Sequence, residues 1–261
     1  MLRTRVLVAA IGLPLLALVI ALPEPVFAAA ISLLLAAAAA EMFIAAAGTR
    51  PLWQPLGAAA AAAFVALWMR QAAEGFPLWT LLPLPAIALY GLLRPGPGPR
   101  RLREAWWLGA VAYVGVLGAH WLLLRGEPEG QRWLIVLLGV TIATDTGAYA
   151  VGKWLGRHPL APRISPGKTR EGAIGGFLAG AVAGVGLLLA LDLDSEAVTI
   201  AAIALLLPIA AQAGDLLESA LKRRIGVKDS SGLLPGHGGL LDRMDSQLLA
   251  GPLLYWILQW L

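Results

Sequence analysis

The sequence predicts an all-α, polytopic integral membrane protein of about nine transmembrane helices, with its functional loops on the cytoplasmic side. Three observations predict this class. Hydrophobic residues make up 59% of the 261 positions and charged residues only 14%, for a mean hydropathy of +0.75, well outside the range of water-soluble domains. Apolar runs near the length a membrane crossing needs recur along the whole chain, separated by charges or Pro/Gly breaks. If the runs alternate in direction, 17 of the 20 Lys and Arg fall on one side, and only Arg70, Arg125 and Arg132 on the other. The positive-inside rule then makes the N-terminus cytoplasmic and places the C-terminus across the membrane.

The runs follow in order. The first, 5–22, begins behind Arg3 and Arg5 and contains Pro14; a secretory signal cut near Ala28 to Ala30 is the alternative, disfavoured because apolar sequence continues at once. Runs 25–47 and 56–70 contain the alanine stretches 36–40 and 58–63, read as thin helix faces. Run 76–93 is interrupted by Pro83 and Pro85, and the hinge RPGPGPRR at 94–101 leads into 106–124. Runs 132–152, 171–191, 197–213 (with Pro208) and 247–261 complete the set. Residues 1–130 form a scaffold with the expected lipid-facing or dimer surface, residues 131–261 carry the reactive groups, and both belong to one membrane domain. In 171–191, Gly172, Gly176, Gly180 and Gly184 share one helical stripe, which suits close helix packing, with ligand binding as the alternative.

Composition also excludes chemistry. Without cysteine there is no disulfide, no thiolate nucleophile and no cysteine metal site. The pI near 9.8 requires no nucleic acid, because a basic membrane face meets anionic headgroups.

Polar residues collect in two blocks. In the first, Asp145 sits in the last third of its apolar run, where a carboxylate needs a polar cavity or a structural partner. The segment SPGKT at 165–169 is not a P-loop, since Pro162 stands where that pattern needs Gly. It reads as a Pro-Gly turn offering Ser165, Lys168 and Thr169 near a helix N-terminus, either to a phosphate or to solvent and headgroups.

The second block spans 214–246. Asp215 and Glu218 lie three apart, and Glu218 is spaced to pair with Lys222. Asp242 and Asp245 are again three apart at the start of the last run, so that both can share a helix face; they suit a hard divalent cation or a capping role. Gly236, Gly238 and Gly239 around His237 free backbone amides for an anion. His237 itself is open to phosphate contact, structure or proton transfer. Carboxylates for a metal beside cations and amides for phosphates describe phosphoryl or nucleotidyl transfer.

In order and spacing, Ser219, Leu221, Lys222, Arg223, Lys228, Asp229, Pro235, His237, Gly238, Gly239, Asp242, Arg243 and Asp245 resemble the signature of the phosphatidate cytidylyltransferases, also called CDP-diacylglycerol synthases. DTGAY at 145–149, GRH at 156–158, LAP at 160–162 and SPGKT are similar to that family's pattern; the N-terminal half matches only in hydrophobic character. Arg170 and Pro159 depart from it, where an aromatic and a basic residue are common. The resemblance implies that CTP and phosphatidate give CDP-diacylglycerol and pyrophosphate for phospholipid biosynthesis. It implies magnesium, with room for a second cation, on Asp215, Asp242 and Asp245, with Lys222 joining these as catalytic. It implies substrate binding by Asp145, Ser165, Lys168, Thr169, Ser219, Arg223, Lys228, Asp229, His237, Gly238, Gly239 and Arg243. A homodimer among membrane lipids, in a bacterial-type inner (plasma) membrane with a cytoplasmic active site, is also implied. The competing readings are a polytopic transporter, motivated by Asp145 and Glu41, and a CTP-dependent lipid kinase. A CDP-alcohol phosphotransferase is opposed by the lack of that family's acidic run.

Overall fold

The computed structural model describes residues 12, 14–49, 51–72, 99–193, 195–233 and 238–261. The expected run 76–93, the front of 5–22, most of the hinge at 94–101, and Pro235, Gly236 and His237 lie outside these residues. The contacts divide the chain into two compact units, one of residues 1–127 with 224–244, the other of residues 128–223 with 245–261.

In the first unit, helix α1 (Glu24–Ala47) starts behind Pro23 and stops at Gly48, whose φ of +83° suits glycine. Helix α2 (Trp53–Ala72) returns alongside it, and the ends are tied by an ion pair between Arg70 and Glu24. Helix α3 (Pro99–Ala110) continues through a π-helical segment, Val111–Val116, into α4 (Leu117–Gly126). The alanine runs are indeed packing faces: Ala38, Ala39, Ala58 and Ala62 are fully buried. A methyl placed on Gly115 would lie 3.0 Å from Ala62 Cα, so small residues set the spacing between α2 and the π segment.

In the second unit, α5 (Gly130–Leu155) leads through strands β1 (Pro159–Ala161) and β2 (Ser165–Thr169) to α6 (Arg170–Ala190). Helices α7 (Ala197–Ile225) and α8 (Asp245–Trp260) follow, the last two residues of α7 counting with the first unit. The glycine stripe of α6 is buried along its whole length and lies against α5. A methyl on Gly176 would stand 2.7 Å from Thr144 O, and one on Gly172 would stand 2.8 Å from Ala148 O. Close helix packing is therefore what Gly176, Gly180 and Gly184 do, while Gly172 at the head of the stripe also lines a cavity.

Among the described residues, five helices are long and apolar enough to cross a membrane: 24–47, 103–126, 130–155, 170–190 and 197–225. The chain is an α-helical integral membrane protein. Helix α7 carries Asp215, Glu218, Ser219 and Lys222 on its polar end, as their spacing expects, running twelve residues past the apolar run with cations near the negative pole and closing at Gly226, φ +79°. Two expectations change in detail. SPGKT is a strand, not a turn; the chain reverses one step earlier, where Ile164 N donates to Ala161 O at 3.1 Å, and β2 pairs antiparallel with β1. Asp242 and Asp245 do not share a helix face: Asp242 sits in a 3-10 turn, Leu241–Arg243, and α8 begins only at Asp245.

Candidate active site

A cavity of about 300 Å³ opens in the second unit where α5, the hairpin, α6 and α7 meet. Asp145, Lys168, Thr169 and Asp215 all line it. Helix α5 supplies Asp145, Tyr149, Gly152 and Lys153 at helical spacing, so they form one wall. The end of β2 supplies Lys168 and Thr169. Thr169 caps α6, its Oγ1 accepting from Gly172 N at 3.1 Å, and Arg170 N donates to His158 O at 2.8 Å, so the positive end of that helix reaches the cavity wall with these first amides already partnered. From α7 come Gln212, Asp215 and Leu216.

Lys168 Nζ bonds Asp215 Oδ2 at 2.7 Å, with both side chains less than a third exposed. Asp145 lies under Ser246 Oγ, 3.4 and 3.5 Å from its two carboxylate oxygens. Gly214 lets the first turn of α8 approach, with Ser246 Cα 3.2 Å from where a methyl would sit. Asp245, ahead of the final apolar run, accepts from Ser246 N at 2.7 Å. Burial first, then the negative charges of Asp215 and Asp145, push its carboxyl up to about 7, against the opposing pull of Lys222.

The remaining candidates of this unit lie outside the cavity wall. Ser165 opens β2 and Ser219 is half-buried on α7. Lys222 pairs with the fully buried Glu218 one turn back, the pairing that their spacing predicts. Arg223 Nε donates to Ile164 O at 3.1 Å, fastening the end of α7 to the hairpin turn.

The first unit holds the other set. Lys228 and Asp229 are exposed in the bend after α7, and Arg243 is exposed in the 3-10 turn. Asp242 is buried. Its Oδ2 accepts from Ser230 N at 3.0 Å and Gly239 N at 2.7 Å and lies 2.8 Å from Ser230 Oγ, so this carboxylate clasps both ends of the 230–239 loop. Gly238 takes φ +77° there.

Among the described residues, no three His, Asp or Glu side chains converge as a ready metal site. The donor chemistry at Asp215 and Asp245 suits magnesium, since carboxylate oxygens are hard ligands. Sequence reasoning missed Tyr149, Lys153 and Gln212 as cavity residues. The available signal was helical spacing: Tyr149 lies four residues beyond Asp145, and Gln212 three before Asp215.

Apolar helices enclosing a cavity of carboxylates, lysines and a helix N-terminus define an integral membrane protein with a charged pocket. The model of the cytidylyltransferase family matches residues 3–261, and the chain belongs to that family of nucleotidyltransferases. It is 41% identical over 150 residues to the phosphatidate cytidylyltransferase of Staphylococcus aureus strain COL, covering 58% of this chain and 57% of that one. The same identity and coverage hold for the Staphylococcus haemolyticus protein of that name. The Brucella suis protein of that name is 46% identical over 153 residues, covering 58% and 56%. The chain thus spans little more than half the length of these curated relatives.

Proposed function

We propose that this protein is a phosphatidate cytidylyltransferase, transferring CMP from CTP to phosphatidate to give CDP-diacylglycerol and pyrophosphate. The observation that carries the reading is the Lys168–Asp215 pair inside the cavity, a cation and a carboxylate placed together beside a helix N-terminus. Family membership and the relatives' names support the same reaction. Such transfer asks little covalent participation of the protein; it asks for cations that position and neutralise phosphate oxygens.

In this reading an ionised phosphatidate oxygen attacks the α-phosphorus of CTP in line. The new O–P bond forms as the bond to the β-phosphate oxygen breaks, and the electron pair leaves with pyrophosphate. Phosphatidate is already ionised near neutral pH, so no strong base is needed. Lys168 binds triphosphate oxygens beside the positive end of α6, and Lys222 tempers the carboxylate charge around Asp245. Ser165, Ser219, Arg223, Lys228, Asp229, Gly238, Gly239, Arg243 and His237 are carried as substrate contacts on the resemblance. Asp215 and Asp245 would hold magnesium, with Asp242 added on the resemblance alone. When bound, that ion would supply charge neutralisation at the phosphates.

Nine spans, a cytoplasmic site with the C-terminus opposite, an inner-membrane location and a homodimer belong to the same proposal, supported by the basic-residue partition and the bacterial relatives. The test is turnover of CTP labelled at the α-phosphate by purified, detergent-solubilised protein with phosphatidate and magnesium. Label is expected in lipid with equal pyrophosphate release. Label entering lipid only from the γ position would establish the kinase instead, and flux through proteoliposomes without nucleotide turnover would establish the transporter.

A further inference from the structure

Glu41 lies near the end of α1, a helix whose apolar character gives it a mean hydropathy of 2.1 over its best window. A carboxylate there is costly unless it meets donors. It is buried at 9% exposure, and its donors come from the 230–241 segment of the same compact unit. Leu240 N donates to Oε2 at 2.9 Å, Leu241 N donates to Oε1 at 3.4 Å, and Ser230 Oγ is hydrogen-bonded to Oε1. These are the amides that open the 3-10 turn carrying Asp242 and Arg243, amides that a short helix cannot satisfy itself. Ser230 is also bound by Asp242, so two carboxylates grip the loop through one serine, Asp242 from within it and Glu41 from α1. Gly239 fits between them only because it has no side chain: a methyl there would run into Glu41 Oε1 and Ser230 Oγ.

We infer that Glu41 is a positioning residue for the reaction, the anchor by which the N-terminal helices fix the loop that carries Gly238, Gly239, Asp242 and Arg243. For its kinetic consequence the inference rests on the cytidylyl-transfer reading. The N-terminal half therefore contributes a specific polar contact to the functional loop, beyond its hydrophobic scaffold.

Because the chain has no cysteine, Leu233→Cys, at an exposed position of the loop, takes a single nitroxide label. Glu41→Gln keeps the side chain's shape but presents a donor where one oxygen accepted. It is expected to sharpen the nitroxide spectrum and to lower kcat about tenfold or more, with kcat/KM falling in parallel. Glu24→Gln on the same helix, whose partner is Arg70, is expected to change neither. An unchanged spectrum in folded Glu41→Gln, or a loosened loop with turnover within about twofold of the parent, overturns the inference. If the parent transfers no cytidylyl group, the functional reading has failed while the spectra still decide whether Glu41 anchors the loop. If Glu41→Gln yields no folded protein, Gly239→Ala attacks the same contact from the loop side, and a rigid, fully active Gly239→Ala refutes the anchor.

Discussion

Lys168 Nζ lies 2.7 Å from Asp215 Oδ2, joining the residue before the N-cap of α6 to the polar end of α7. This one bond brings a cation and an anion together in the cavity wall, next in sequence to the N-cap of α6. Charge-assisted bonds of this kind are among the stronger polar contacts, and here both partners keep enough exposure to exchange each other for ligand oxygens.

Removing the lysine therefore tests the site most directly. Lys168→Met is expected to lower kcat for cytidylyl transfer about 10²-fold, the scale on which a single stabilising donor acts. Lys168→Arg, which keeps the charge, is expected to retain more activity. Single-turnover rates with α-labelled CTP decide the matter, and a methionine variant as fast as the parent would remove Lys168 from the mechanism.

Asp245 carries the second prediction. Its carboxyl is raised to about 7 by burial and by Asp215 and Asp145, so it holds its proton to far higher pH than an ordinary aspartate. Asp245→Asn and Asp215→Asn are each expected to cut turnover by about 10²-fold or more and to raise the magnesium concentration needed for half-maximal rate. Magnesium titration of each variant is the measurement. Full activity with an unaltered magnesium curve in Asp245→Asn would show that the ion is held elsewhere.

The glycine stripe of α6 gives a prediction about stability. Gly176→Val places carbon where Thr144 O already stands within 2.7 Å of a methyl position, so α5 and α6 must separate. Overpacking of this kind costs about 1–3 kcal/mol, more where backbone rather than a flexible side chain must yield. Thermal unfolding in detergent is expected to fall clearly for Gly176→Val and little for Gly186→Ala, whose added methyl meets no atom within 4 Å.

These elements were legible in the sequence to different degrees. The stripe and the Glu218–Lys222 pair were read correctly because a helix repeats every 3.6 residues and both signals are local. The strand at 165–169 was not, since Pro and Gly within SPGKT suggest a turn unless the partner Pro159–Ala161 is known, and pairing is not local. Asp242 and Asp245 were assigned one helical face, which holds only if the helix begins before Asp242; the hydrogen bonds of the 3-10 turn decide that, and no residue type announces it. Glu41 stood out as an intramembrane carboxylate, but its donors lie about 190 to 200 positions away in the chain.

Gln212 shows what the fold adds and carries the last prediction. Helical spacing alone marks it in the sequence, one turn before Asp215, and the fold places it in the cavity wall. A carboxamide offers both donors and an acceptor, so it can bind a neutral polar group of the nucleotide, where Lys168 can only meet oxygens. Loss of one neutral hydrogen bond is worth about 1 kcal/mol, close to a fivefold change in binding. Gln212→Ala is thus expected to raise KM for CTP about three- to tenfold with kcat changed less than about twofold, the pattern of lost uniform binding. Lys153, on the opposite wall with its ammonium 5.7 Å from the Tyr149 ring centre, serves as the contrast. If it meets phosphate, Lys153→Met loses affinity more steeply at low ionic strength than at high, whereas Gln212→Ala shows no such salt dependence. Steady-state kinetics of both variants at two salt concentrations separate the roles, and an unchanged KM in Gln212→Ala would place the nucleotide away from this wall.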